Sequence, residues 1–316
     1  MTAGPCFGLP VEPNSVRSRR FLRLAVLILL VSVSVYLAAN LGLAWVYSYA
    51  LTHPGCNPAP KKLAALPAPE VIWLTSSDGR SLQAWYYPGS NGAGILAAGG
   101  MGGALGDSLP PIEFLVREGY SVLQIDTRAC ATPPAPVTLG GKEVDDLRLG
   151  LNFLIGQPDI KRIGVFGFSM GAAATIRLAA AQPEVTAVVA EGGYYNLGND
   201  FTEPDVSESA PRKLFLYCIA LSYWVQSHVN PWQISPLDEL ERLSPRPVFL
   251  IYGEHEAGSG RAQLQFSAAK EPKDLWIVPG GDHGSNHLIA PEQYQQKISA
   301  FFNRHLLGDP DPDTSR

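Results

Sequence analysis

Gly167-Phe168-Ser169-Met170-Gly171 constrains this chain more than any other stretch, because of what stands on either side of it. Ile163-Gly164-Val165-Phe166 before it is short, apolar and β-prone, and Ala172 to Ala179 after it are mostly good helix formers. Where a strand turns sharply into a helix, the residue at the bend is held with its side chain exposed. Glycines on both sides of the bend let the backbone close without a Cβ clash. Ser169 is therefore the candidate nucleophile.

A serine hydroxyl is a weak nucleophile near neutral pH. It needs a base to take its proton and a third group to orient that base. Of His53, His228, His255, His283, His287 and His305, one has a suitable setting. Asp274 to Pro279 reads as a late strand, and Gly280-Gly281-Asp282-His283-Gly284 as the loop leaving it. His283 is the expected base, with His287 as the fallback. The acid should come from a loop between Ser169 and His283. Pro247 to Tyr252 is a continuous apolar run that predicts a buried strand, and it ends in Gly253-Glu254-His255-Glu256. Glu256 is the expected orienting carboxylate. Glu254, two residues away, and Glu191, at the end of the predicted strand Val185–Ala190, are the alternatives.

Together with three further stretches, these residues resemble the α/β-hydrolase superfamily, whose triad runs in the order Ser, Asp or Glu, His. Ile95 to Gly103 looks like its strand and oxyanion loop. Gly119 to Arg128 looks like its next strand and Asp-x-Arg turn, and Ser235 to Pro247 like the approach to the acid strand. The resemblance covers residues 70–308 and is nearest to serine esterases and prolyl-oligopeptidase-like hydrolases. It implies the α/β-hydrolase fold: a mostly parallel sheet with helices on both faces. It also implies an oxyanion hole built from the backbone N–H groups of Met101 and Met170. The chain departs from the common pattern with Gly99-Gly100 in place of His-Gly, and with Ala129-Cys130-Ala131 in place of Gly-x-Gly. A glutamate also stands where aspartate is commoner. No Gly-Lys-Ser/Thr follows Gly99–Gly103, which argues against a nucleotide loop. The expected activity is hydrolysis of a small or lipid-like carboxylic ester (or a thioester or amide) through an acyl-enzyme on Ser169, with no cofactor and no metal; the alternatives are a serine peptidase, an acyltransferase or a non-catalytic binding protein of the same fold.

Residues 24–52 carry no Asp, Glu, Lys or Arg, a run long enough to span a bilayer as helix. Trp45, Tyr47 and Tyr49 lie at its far end, where an interfacial aromatic belt would fall. Arg17, Arg19, Arg20 and Arg23 precede it, while only Lys61 and Lys62 follow closely. The positive-inside rule then places the N-terminus in the cytoplasm and the hydrolase outside. The run exceeds a usual signal-peptide core, so an uncleaved anchor is expected, the alternative being secretion after cleavage near Ser48-Tyr49-Ala50.

The expected organisation is a short basic segment (1–20), a transmembrane helix (21–49), a Pro-rich linker (50–69), the hydrolase domain (70–308) and a polar tail (309–316). Residues 194–235 interrupt the strand–helix rhythm where α/β-hydrolases commonly insert a helical lid, and Leu214 to Val225 reads either as a lid helix or as an ordinary core helix. A net charge of −5 offers no basic patch for nucleic acid. The four cysteines show no metal spacing, and plain thiols are expected of them.

Overall fold

The computed structural model describes residues 14–56, 66–103, 105, 111–203 and 210–308. Residues 57–65 of the expected linker, the tail 309–316 and residues 1–13 of the basic segment lie outside the described residues.

Helix α1, Asn14–Thr52, is long and apolar enough to cross a membrane. It continues past the expected end of the span, into the segment read as an extended linker. Eight strands follow: β1 (Glu70–Thr75), β2 (Ser81–Tyr87), β3 (Ala93–Ala98), β4 (Ser121–Ile125), β5 (Arg162–Phe168), β6 (Val185–Glu191), β7 (Val248–Gly253) and β8 (Lys273–Val278). They form one sheet in the order β1-β2-β4-β3-β5-β6-β7-β8. The β1–β2 and β2–β4 pairs are antiparallel, and every later pair is parallel. The helices between strands are α2 (Glu113–Arg117), α3 (Glu143–Ile155), α4 (Met170–Ala181), α5 (Leu197–Thr202), α6 (Ala210–Ser227), α7 (Pro236–Leu240) and α8 (Ala262–Ala268). After β8 come α9 (Asn286–Ile289) and α10 (Pro291–Phe302).

Parallel strands are buried on both faces, so consecutive residues serve opposite cores. Val165 of β5 packs with Leu147 and Leu151 of α3 and Ile176 of α4. Its neighbour Phe166 packs on the other face with Ile298, Phe301 and Phe302 of α10. The sheet is thus held between two helical layers, and the loops leaving the C-terminal ends of β5, β6, β7 and β8 gather at one edge. Ligands of open α/β sheets bind at that edge.

The insertion between β6 and β7 contains α5 and α6, and residues 204–209 of it lie outside the described residues. Helix α6 packs along α1. Gln226 Nε2 donates to the Trp45 carbonyl at 3.0 Å, and Ala44, Ser48 and Thr52 form a fully buried stripe on α1. The Val137 N–H donates to the Thr52 carbonyl at 2.8 Å. Four residues beyond α1, Cys56 forms a disulfide with Cys130, across a sequence separation of 74. Plain thiols were expected at these two positions. Nothing local signals the bridge, because the pairing depends on α1 docking against the turn after β4. The departure from Gly-x-Gly at Ala129-Cys130-Ala131 therefore has a structural use: it supplies the partner of Cys56.

Candidate active site

Ser169 stands between the end of β5 and the start of α4 with φ 55° and ψ −119°. A positive φ is costly for a residue with a Cβ and persists only where the surroundings impose it. Here they do. A Cβ at Gly167 would lie 2.3 Å from the Gly171 carbonyl oxygen and 2.3 Å from Thr175 Oγ1. A Cβ at Gly171 would lie 2.3 Å from the Ala98 carbonyl oxygen. Gly167 is required because α4 folds back against the end of β5, and Gly171 because α4 starts against the end of β3, the strand beside β5.

His283, in the loop after β8, places Nε2 3.0 Å from Ser169 Oγ. Its Nδ1 lies 2.7 Å from Glu256 Oε2, in the loop after β7. An ionised carboxylate accepts only, so Nδ1 carries the proton and Nε2 is free to accept from the Ser169 hydroxyl. Phe168 flanks the imidazole, with ring centroids 4.9 Å apart. The other carboxylate oxygen of Glu256 accepts from the Gly253 N–H at 2.8 Å, which fixes its aim. The His283 pKa is raised above its ordinary value, chiefly by the hydrogen bond to Glu256, with burial opposing.

The two alternative acids occupy different places. Glu254 is exposed, and its carboxylate accepts from the Gly280 N–H at 2.8 Å. Glu191 is fully buried behind the site. It accepts from Tyr294 Oη at 2.6 Å and from Asn286 Nδ2 at 2.9 Å, and the same Asn286 amide lies 3.4 Å from Glu256 Oε1. Glu191 thus reaches the His283 pair through Asn286. His287, the fallback base, lies in α9 with its ring against Tyr294.

Three residues here were not singled out from the sequence: Gly192, Asn286 and Tyr294. A Cβ at Gly192 would lie 2.9 Å from His283 Nδ1 and 3.1 Å from Glu256 Oε2, and its φ is +62°. Only glycine leaves room there for the two side chains to meet. Its place, just after the strand that ends in Glu191, was the available clue. Asn286 and Tyr294 are joined to Glu191 only through space.

Burial is the largest influence on Glu191 and pushes its carboxyl from 4.5 up to about 7, against the hydrogen bonds from Tyr294 and Asn286. The folded state therefore keeps a proton that the unfolded chain has released. This contribution to stability is complete below the unfolded value and is lost as pH rises through the folded one, about 3 kcal/mol in all. Glu191→Gln is neutral at every pH. It is expected to flatten the fall in thermal unfolding midpoint between pH about 4.5 and about 7. A fall as steep in the variant as in the wild type would remove Glu191 as its source.

Met170 is the first residue of α4, where backbone N–H groups have no partner inside the helix. Met101 lies in the loop after β3. That loop is braced by the Asp-x-Arg turn. Gly103, at φ +106°, leaves space for Asp126 Oδ1, which a Cβ would approach to 2.5 Å, and for Cys130 Sγ. Arg128 anchors the turn through ion pairs to Asp146 at 2.6 Å and Asp78 at 2.8 Å. Met101 packs against the apolar cluster that contains Met170, the residue after Ser169.

The sheet order, the strand–turn–helix at Ser169 and the helical insertion after β6 are those of the α/β-hydrolase fold, and the chain has that fold. It also carries an N-terminal apolar helix. No family model matches the chain. A solved esterase from Pyrococcus furiosus, Pf2001, superposes with a TM-score of 0.58 at 26% identity, covering 79% of this chain and 99% of that one. The uncharacterized protein YfhR of Escherichia coli O157:H7 is 25% identical over 254 residues, 75% of this chain and 76% of its own. The α/β hydrolase domain-containing protein WAV2 of Arabidopsis thaliana is 25% identical over 266 residues, 78% of this chain and 82% of its own. This likeness supports a hydrolase.

Proposed function

We propose that the protein is a membrane-anchored serine hydrolase that cleaves carboxylic esters through an acyl-enzyme on Ser169. The observation that carries this reading is the continuous chain from Ser169 Oγ through His283 to Glu256, at 3.0 and 2.7 Å. Ser169 Oγ attacks the ester carbonyl carbon as its proton passes to His283 Nε2. Glu256 stabilises the imidazolium that forms. The N–H groups of Met101 and Met170 receive the negative oxygen of the tetrahedral intermediate, and donors of this kind are worth several kcal/mol each. The intermediate collapses, the C–O bond breaks, and the leaving alcohol takes the proton from His283. Water then attacks the acyl-enzyme by the same route, releasing the acid and restoring Ser169.

The arginines in the first turns of α1, ahead of its uncharged stretch, support a cytoplasmic N-terminus, with the hydrolase on the opposite side. The Cys56–Cys130 disulfide supports the same orientation, because such bonds persist in oxidising compartments.

The test is labelling of the full-length protein with a fluorophosphonate, which reacts with activated serines. Wild type should be labelled, and Ser169→Ala and His283→Ala should not. A folded wild type that takes no label, or a Ser169→Ala protein that still does, would contradict the reading.

A further inference from the structure

Helix α6 has two apolar sides. Its inner side is packed: Ile219, Ala220, Ser222 and Tyr223 are all buried. Tyr223 Oη donates to the Thr138 carbonyl at 2.7 Å, and its ring lies in one apolar cluster with Met170, the neighbour of Ser169. Met101 is partly buried against the same cluster. The inner side of α6 is therefore a wall beside the nucleophile. The outer side carries Leu214, Tyr217, Leu221, Trp224 and Val225, exposed by 36 to 52%. Their spacing puts them on one helical face. A continuous apolar ridge of this size on a soluble surface marks an interaction site.

The position of α6 says what covers that ridge. A bilayer core of about 30 Å takes about 20 helical residues. Residues 24–43 of α1 supply that length, and among them only Asn40 is even partly covered by protein. The buried stripe Ala44, Ser48 and Thr52 begins where that length ends. Trp45, Tyr47 and Tyr49 lie around the helix from it and are exposed by 44 to 53%, as an aromatic belt at the headgroups requires. Helix α6 is bound to α1 at this level through Gln226, which bonds to Trp45 and Ser48. Its exposed apolar face thus stands beside α1, and Trp224, two residues before Gln226, lies near the level of the aromatic belt.

The geometry points to α6 as an interfacial helix whose outer face lies in the bilayer while its inner face walls the active site, so that the enzyme takes a membrane-resident acyl ester. This rests on the serine-hydrolase reading above and names the substrate class of that same site. The acyl chain stays in an apolar environment as it passes from the leaflet along α6 to the cluster around Met170. Entry therefore avoids the cost of exposing the chain to water.

Two measurements on full-length protein in phosphatidylcholine vesicles test this. The first is a nitroxide on Leu221→Cys in a Cys6→Ser/Cys218→Ser background, read by collision with oxygen, which partitions into lipid, and with a water-soluble nickel chelate. The expected result is high oxygen and low nickel accessibility. High nickel accessibility would overturn the proposal in favour of a solvent-facing lid. Low accessibility to both would overturn it in favour of a protein partner on this face. The second compares turnover of p-nitrophenyl palmitate dissolved in the vesicles with turnover of p-nitrophenyl acetate in water. Leu221→Asp/Val225→Asp should lower the palmitate-to-acetate ratio about tenfold or more. An unchanged ratio would overturn the substrate assignment. Loss of both activities in wild type would instead count against the hydrolase reading, and the nitroxide would still report on α6.

Discussion

Ser169→Ala and His283→Ala are each expected to lower ester turnover about a million-fold, and the double variant should be no worse than either. That corresponds to about 8 kcal/mol of transition-state stabilisation. The non-additivity follows from the geometry. Ser169 Oγ and Nε2 of His283 are 3.0 Å apart, so the base is in direct contact with the hydroxyl it would deprotonate. Without the base the hydroxyl stays protonated, and without the hydroxyl the base has nothing to activate. What should survive in every variant is binding together with the N–H groups of Met101 and Met170, the oxyanion donors proposed above. The check is steady-state turnover of p-nitrophenyl acetate by the three proteins. Losses of only tenfold for the single variants, or losses that multiply in the double, would mean that the two side chains do not act as a unit.

Glu256→Gln should cost about ten thousand-fold and should also change the shape of the pH profile. His283 must be neutral to accept the Ser169 proton. Glu256 raises the His283 pKa above 6.5, so wild-type kcat/KM should fall as pH drops through a value above 6.5. The amide removes both the charge and the strong acceptor. Burial, which lowers the His283 pKa, is then unopposed by Glu256, and the acid limb moves to lower pH. The plateau falls because a glutamine can donate to Nδ1 and hold the wrong tautomer. The sign for stability runs the other way from that for activity. A raised histidine pKa gives a stabilising contribution that is complete below the unfolded value and lost as pH rises through the folded one. A kcat/KM profile whose acid limb stays in place in Glu256→Gln would show that this carboxylate does not set the His283 pKa.

The parts of this arrangement that could be read from the chain are those set by neighbours in sequence. Ser169 could be located because a β-prone run, two glycines and a helix-forming run specify a sharp turn within 17 residues, Ile163 to Ala179. His283 could be located because it leaves a recognisable strand. Helix α1 could be read because a helix long and apolar enough to cross a bilayer needs a long stretch without charge, and residues 24–52 carry no Asp, Glu, Lys or Arg. Alternation of strands and helices specifies a mostly parallel sheet by the same kind of local rule.

Choosing among Glu256, Glu254 and Glu191 was beyond the sequence. All three stand at strand ends on the same edge of the sheet, and their carboxylates differ only in where the backbone aims them. Gly253 N–H fixes one oxygen of Glu256, Gly280 N–H draws Glu254 aside, and Tyr294 with Asn286 holds Glu191 beneath the pair. Each of these contacts depends on the registers of β6, β7 and β8 and on the docking of α9 and α10. The Cys56–Cys130 bridge and the seat of α6 on α1 have the same origin. Short-range preference and the need to bury or expose apolar side chains wrote the elements into the sequence. Which buried polar groups meet was decided only when those elements packed, since a hydrogen bond depends on a few tenths of an ångström that no local pattern encodes.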